Sequence, residues 1–204
     1  AEAKPMTEDG QFWLAVHTAA SYNESYHIDD IPEWCEEDYA SYLRDEGLED
    51  ISVDKMTLND RAGWTMNNWE KIFEKKLDMK AEKPYTFLAC CYEWEYVQET
   101  GMTKLPVAID GSNNGWQHLG AISKDSQTGL LVGLEPVVIQ KDFYVQTAKK
   151  LIELAADDDR LTSILKQMPM KHIRKGISKR GSMTRAYSAG ASKIAENMFF
   201  DCKA

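Results

Sequence analysis

A chain of 204 residues with 43% hydrophobic and 10% aromatic side chains has enough apolar material for one or two packed domains. No apolar run nears the roughly 20 residues that a helical bilayer span needs, and no basic and apolar leader opens the sequence, so the expectation is a cytoplasmic protein. The net charge of −9 argues against a nucleic-acid binder until it is divided: residues 1–100 sum to −14 and residues 101–204 to +5. Within 166–193 stand Lys166, Lys171, Arg174, Lys175, Lys179, Arg180, Arg185 and Lys193 with no Asp or Glu, a strong local field for phosphate groups. Cys35, Cys90, Cys91 and Cys202 show no metal or redox spacing and read as packed thiols.

In chain order, apolar periodicity predicts helices over 11–21, 32–44, 59–77 and 84–99. Phe87, Cys91 and Trp94 fall near helical spacing and read as core. Leu105 to Ile109 is a short β-branched run, which predicts a strand ending at Asp110, followed by the turn GSNNG and a helix over 116–124. A helix is expected over 135–156, with Pro136 suited to its first turn, then an interruption at Asp157 to Asp159. A last helix should run from about Lys171 to Asn197.

Two segments carry chemistry. An acidic residue at a strand tip, presented by a tight turn, is a common way to hold a metal on a phosphate substrate; the competing reading of Asp110 is an Asx-turn or a helix cap. On the last helix Lys175, Lys179, Met183 and Tyr187 recur every four residues, with Arg180 beside Lys179. One face thus offers cations, a soft apolar side chain and a ring, an order that suits the phosphates, base and sugar of a nucleoside triphosphate. The competing reading is a solvated basic face.

Taken together, DGSNNGWQHL and, some seventy residues later, KGISKRGSMTRAY resemble two signatures of the single-subunit RNA polymerase family of bacteriophage and mitochondrial type. KPMTEDGQFWLAVHTAA, PYTFLACCYEWEYVQETG and EPVVIQKDFYVQTAKKL are similar to family segments around them, and residues 22–80 are the least recognisable. The resemblance implies a mainly helical α/β chain, the palm and fingers portion of a right-hand polymerase with a small, incomplete antiparallel palm sheet. It implies an N-terminal helical region over 1–102, a palm segment over 103–129 and fingers over 130–204. Asp110 and the Gly111 carbonyl match metal ligands, with Mg²⁺ as cofactor, and Asp110, Lys179 and Tyr187 match catalytic positions. Lys175, Lys179, Arg180, Met183, Tyr187, Tyr144 and Gly115 match the nucleotide pocket, where Gly115 would leave open the space that a bulky acidic side chain fills in DNA polymerases. Arg174, Lys171, Arg185 and His118 are expected on nucleic acid, while Gln117 and His118 equally suit a structural role.

The sequence departs from the family pattern at Ser188, where a glycine is usual, at Lys175, where arginine is usual, and at Trp116, where an aliphatic residue is usual and only packing is expected. No downstream His-Asp signature supplies a second metal aspartate. The expectation is therefore a split or truncated polymerase, inactive alone, with DNA template, RNA product, NTPs and a second polypeptide as partners, in an infected host cell if a phage encodes it. The alternative is a non-catalytic module that binds single-stranded nucleic acid through the 166–193 face.

Overall fold

The computed structural model describes residues 2–35, 37–108, 111, 113–137 and 141–201, without the side chains of 37, 38 and 199–201. Two compact units divide the chain, residues 1–109 and 110–204. Of the three sequence segments, 1–102 falls in the first unit, 130–204 in the second, and 103–129 is divided between them at 109/110.

The first unit runs β1 (Lys4–Pro5), α1 (Glu8–Tyr22), β2 (Ser25–His27), α2 (Glu37–Asp45), β3 (Asp50–Ser52), α3 (Leu58–Asn67), α4 (Trp69–Phe73), α5 (Pro84–Thr100) and β4 (Met102–Thr103). Thr7 caps α1 by accepting from the Gly10 N–H, and Pro84 opens α5, where a missing N–H costs no hydrogen bond. Leu14, Ala15, Ala19 and Tyr22 of α1 enter one core with Trp64 of α3 and with Phe87, Cys91 and Trp94 of α5. The Tyr22 ring lies 5.1 Å from that of Trp64 and 5.0 Å from that of Phe87, within the range of favourable aromatic pairs. Polar groups within this core are paired with one another: Trp94 Nε1 donates to Thr18 Oγ1 at 3.0 Å and Thr65 Oγ1 to the Ala15 carbonyl at 2.7 Å. Cys90 and Cys91 are buried, and burial pushes their thiols up to about 11 and about 12.

Two small antiparallel sheets complete this unit. β1 pairs with β4, Lys4 opposite Thr103 and Pro5 opposite Met102, and β2 pairs with β3. The strand expected over 105–109 is not formed at 105–108, the part that is described. Pro106 has no N–H to give to a ladder, and the donors just before it go to Glu93 on α5. Its carboxylate accepts from Thr103 Oγ1 at 2.7 Å and from the N–H groups of Lys104 and Leu105 at 2.5 and 3.0 Å, so these donors are not available to a ladder. Burial would raise its carboxyl, but these donors outweigh it and hold it below the ordinary range.

The second unit comprises α6 (Asn114–Ser123), α7 (Ser126–Leu131), α8 (Phe143–Leu154), α9 (Asp159–Gln167), α10 (Met170–His172), a π-helical segment Ile173–Lys179, α11 (Arg180–Ala186) and α12 (Ala191–Asp201). Ala148, Ala155, Leu165 and Ile173 form its core. The helix expected to start at Glu135 starts at Phe143, because Asp142 caps it by accepting from the N–H groups of Tyr144 and Val145 at 2.8 and 3.1 Å. The single last helix is interrupted after Ala186. Ser188 takes φ 65°, its N–H donates to the Arg185 carbonyl, and the Ala189 N–H donates to the Thr184 carbonyl, the two bonds of a Schellman stop. The helix expected over 59–77 is likewise broken, at Asn68, into α3 and α4.

Among the described residues no helix is long and apolar enough to cross a membrane.

Candidate functional site

Asp110 lies outside the described residues, and so does Cys202. Gly111 is exposed, and Asn114 Oδ1 lies over it in the space a side chain would take. α6 then begins after Asn113, which adopts a left-handed φ of 60° that asparagine tolerates. Among the described residues no three His, Cys, Asp or Glu side chains come together as a metal site.

The 173–187 helix is built in two pitches. Over Ile173–Lys179 the ladder is i→i+5, which puts more than four residues in a turn, whereas from Arg180 it is α-helical. Lys175 to Lys179 therefore falls short of a full turn, while Lys179 to Met183 to Tyr187 overshoots it. The even four-residue face expected from sequence is bent at Lys179. Ser178, 3% exposed, has no partner for its Oγ among the described residues. Thr184 on the α-helical part, by contrast, donates to the Arg180 carbonyl four residues back.

Tyr144, in the first turn of α8, faces this helix. Lys179 Nζ lies 5.9 Å from its ring centroid, and the Arg174 guanidinium carbon lies 5.9 Å away, distances at which a ring face attracts a cation. Burial raises the Tyr144 hydroxyl pKa, Asp142 adds to the rise, Arg174 partly offsets it, and Tyr187 contributes a further small rise. The structure thus brings together Tyr144, Lys179 and Tyr187, which the sequence separates by up to 43 positions.

Arg174 was expected on nucleic acid. Its Nε donates to Asp142 Oδ2 at 2.8 Å and its Nη2 to the same oxygen, and both side chains are less than a quarter exposed. It ties the π-helical segment to the start of α8 and holds one flank of Tyr144. Lys171, Lys175, Arg180, Arg185, Met183 and Tyr187 are exposed, and Arg185 Nη1 also donates to the Ala189 carbonyl at 3.2 Å. His118 is exposed on α6. Gln117 Nε2 donates to the Val132 carbonyl at 2.8 Å, the structural one of its two expected roles.

Gly115 does not border open space. A Cβ there would lie 2.7 Å from Ala186 Cβ, so the absence of a side chain serves the close approach of α6 to α11 immediately before Tyr187. Trp116 does more than pack: its Nε1 donates to the Ser182 carbonyl at 2.9 Å and its ring lies 5.7 Å from that of Phe143. Asp142 is a position that sequence reasoning left out, and Trp116 one that it gave to packing only. An Asp directly before the apolar-periodic run FYVQTA is a helix-cap signal that could have found the first; the second had no signal beyond its departure from an aliphatic pattern.

The profile of the DNA-dependent RNA polymerase family matches residues 4–199. The chain is 28% identical to T7 RNA polymerase of Escherichia phage T7 over 168 residues, covering 78% of this chain and 16% of that protein. It is 27% identical to the mitochondrial DNA-directed RNA polymerase of Mus musculus over 92% of this chain and 14% of that protein. It is 31% identical to the mitochondrial DNA-directed RNA polymerase of Neurospora crassa over 92% of this chain and 12% of that protein. The chain spans between 16% and 23% of the length of the phage polymerases it matches.

Proposed function

The chain belongs to the DNA-dependent RNA polymerase family, and from that premise we propose that it is a palm and fingers portion of a DNA-directed RNA polymerase that binds a nucleoside triphosphate against the 173–187 helix. The observation that carries this reading is the meeting of Lys179 with Tyr144, an ammonium 5.9 Å from a ring that is itself within electrostatic reach of Tyr187. A triphosphate and a nucleoside call for that pairing of charge and ring. Lys179 and Arg180 hold the phosphates by charge-assisted hydrogen bonds, and Met183, Tyr187 and Tyr144 flank base and ribose. Arg174 orients Tyr144 through Asp142, and Gly115 lets α6 brace the helix turn that carries Tyr187.

The Asp110 carboxylate and the Gly111 carbonyl are hard oxygen donors of the kind magnesium takes. Magnesium, when bound, supplies activation of the RNA 3′-hydroxyl and neutralises charge on the leaving pyrophosphate. One carboxylate is half of a two-ion set, so the other comes from a further chain or segment, in keeping with the small fraction of the phage polymerases that this chain spans. Template DNA and product RNA are the remaining partners, with Lys171 and Arg185 as exposed phosphate contacts.

Displacement of a fluorescent nucleotide from the chain tests the pocket. Lys179→Ala should weaken NTP binding roughly ten- to a hundred-fold, the worth of a charge-assisted contact; unchanged affinity overturns the assignment. On a primed template the chain alone should make no RNA, and elongation without a partner would overturn the need for a completing segment. Asp110→Asn should abolish synthesis by the completed polymerase while leaving template binding intact. A module that only binds single strands would keep its whole function in that variant.

A further inference from the structure

Two contacts within the second unit converge on one indole, and a third lies beside it. Trp116 Nε1 donates to the carbonyl of Ser182, which stands on α11 between Arg180 and Met183. Its ring lies 5.7 Å from Phe143, and Phe143 lies edge-on to Tyr144 at 5.5 Å. Its neighbour Gly115 lets α6 approach Ala186, the residue before Tyr187, so closely that an added Cβ would come within 2.7 Å. One short stretch of α6 therefore fixes both walls of the candidate pocket: the α11 wall through Ser182 and Ala186, and the α8 wall through Phe143.

We propose that Trp116 is a positioning residue that sets the spacing between the Met183–Tyr187 face of α11 and Tyr144, and thereby determines how well the nucleoside half of the ligand is held. This rests on the nucleotide-binding reading above. Its indole N–H is used on Ser182 and its ring on Phe143, so it acts through these walls. The direction of the effect follows from where the hydrogen bond lands. Ser182 follows Lys179 and Arg180 and precedes Met183, and the π-helical segment that ends at Lys179 has a separate anchor, where Arg174 is tied to Asp142. Loss of the indole bond frees the α11 wall while that anchor remains. The base and ribose should therefore lose affinity, and the phosphates should not.

The test compares an NTP with inorganic tripolyphosphate as competitors for a fluorescent nucleotide on the full 204-residue chain in magnesium buffer. Wild type should bind the NTP more tightly than tripolyphosphate. Trp116→Phe keeps a ring against Phe143 but removes the donor. It should lose about ten-fold in NTP affinity, the scale of one hydrogen bond, while tripolyphosphate affinity stays within about two-fold. Phe143→Leu, which retains the indole bond but removes the ring between Trp116 and Tyr144, should show a smaller loss with the same selectivity, and it decides the matter if Trp116→Phe does not fold. An equal loss for both ligands, or no loss for either, overturns the proposal. Failure of wild type to bind either ligand overturns instead the nucleotide-binding reading beneath it.

Discussion

Asp142 and Arg174 form a half-buried ion pair in which Arg174 Nε lies 2.8 Å from Asp142 Oδ2, while the other carboxylate oxygen caps α8 through the N–H groups of Tyr144 and Val145. One aspartate thus closes a helix start and neutralises a guanidinium on the π-helical segment. Removing either partner leaves a charge without its counterpart in a partly desolvated place, which costs more than the pair contributes. Asp142→Ala should lose about 2–4 kcal/mol, the sum of a lost cap and an unpaired guanidinium, and Arg174→Met somewhat less. A double-mutant cycle by urea denaturation should return a coupling energy of about 1–3 kcal/mol; additivity of the two single losses would show that the pair does not act as a unit.

Gly115 sits where an added methyl group would meet Ala186 Cβ at 2.7 Å. Gly115→Ala gains helix propensity, worth about 1 kcal/mol at most in α6, but forces two helices apart at a cost of about 1–3 kcal/mol. The overpacking should win, giving a lower thermal midpoint and a weaker NTP affinity together. A Gly115→Ala, Ala186→Gly double variant should recover both, because the second change removes the atom that is struck. Failure of that rescue would separate Gly115 from the packing of α11.

How much of this was legible in the sequence depends on the range of the interactions. The helices over 8–22 and 84–100 were readable because their apolar spacing and their openings are local: Pro84 announces the start of α5, and Leu14, Ala15 and Ala19 mark one face of α1. The 105–108 stretch reads as a strand by its β-branched composition, yet Glu93, twelve residues before Leu105, takes its first backbone donor, and Pro106 offers none. Lys179, Tyr187 and Tyr144 were all singled out by the resemblance, but the contact of Lys179 with the Tyr144 ring and the brace at Trp116 depend on helix packing that spacing alone does not encode. Arg174 shows the limit most clearly, since a basic residue in a basic run reads as a phosphate contact until its acidic neighbour arrives from 32 positions away.

Ser188 holds φ at 65°, the left-handed region, at the stop that separates α11 from α12. A side chain there crowds its own backbone by about 1–2 kcal/mol, whereas glycine adopts the same angle freely. Ser188→Gly should therefore stabilise the second unit by about 1 kcal/mol once the greater flexibility of the unfolded glycine is set against the relief. Differential scanning calorimetry would register this as a rise of a few degrees in midpoint. A fall would mean that the Ser188 side chain contributes more than its backbone costs.

Glu93 is 4% exposed and accepts from Thr103 Oγ1 and from the N–H groups of Lys104 and Leu105. Burial works to raise its carboxyl, but the three donors prevail and hold it below the ordinary 4.5. A carboxylate whose pKa is depressed on folding contributes stability that is fully present above its unfolded value and is lost as pH falls through its folded one. Glu93→Gln keeps the shape and one acceptor oxygen but removes the charge, and should cost about 2 kcal/mol at pH 7, the scale of hydrogen bonds to an ionised group. Because protonation makes the wild-type side chain neutral as well, the gap between wild type and Glu93→Gln should narrow as pH drops below 4.5 and close once the folded carboxyl is protonated. Urea midpoints measured for both proteins from pH 7 down to about pH 3 would follow this convergence. A gap that stayed constant over that range would locate the effect in shape, and the anchoring of Lys104 and Leu105 would then owe nothing to the charge.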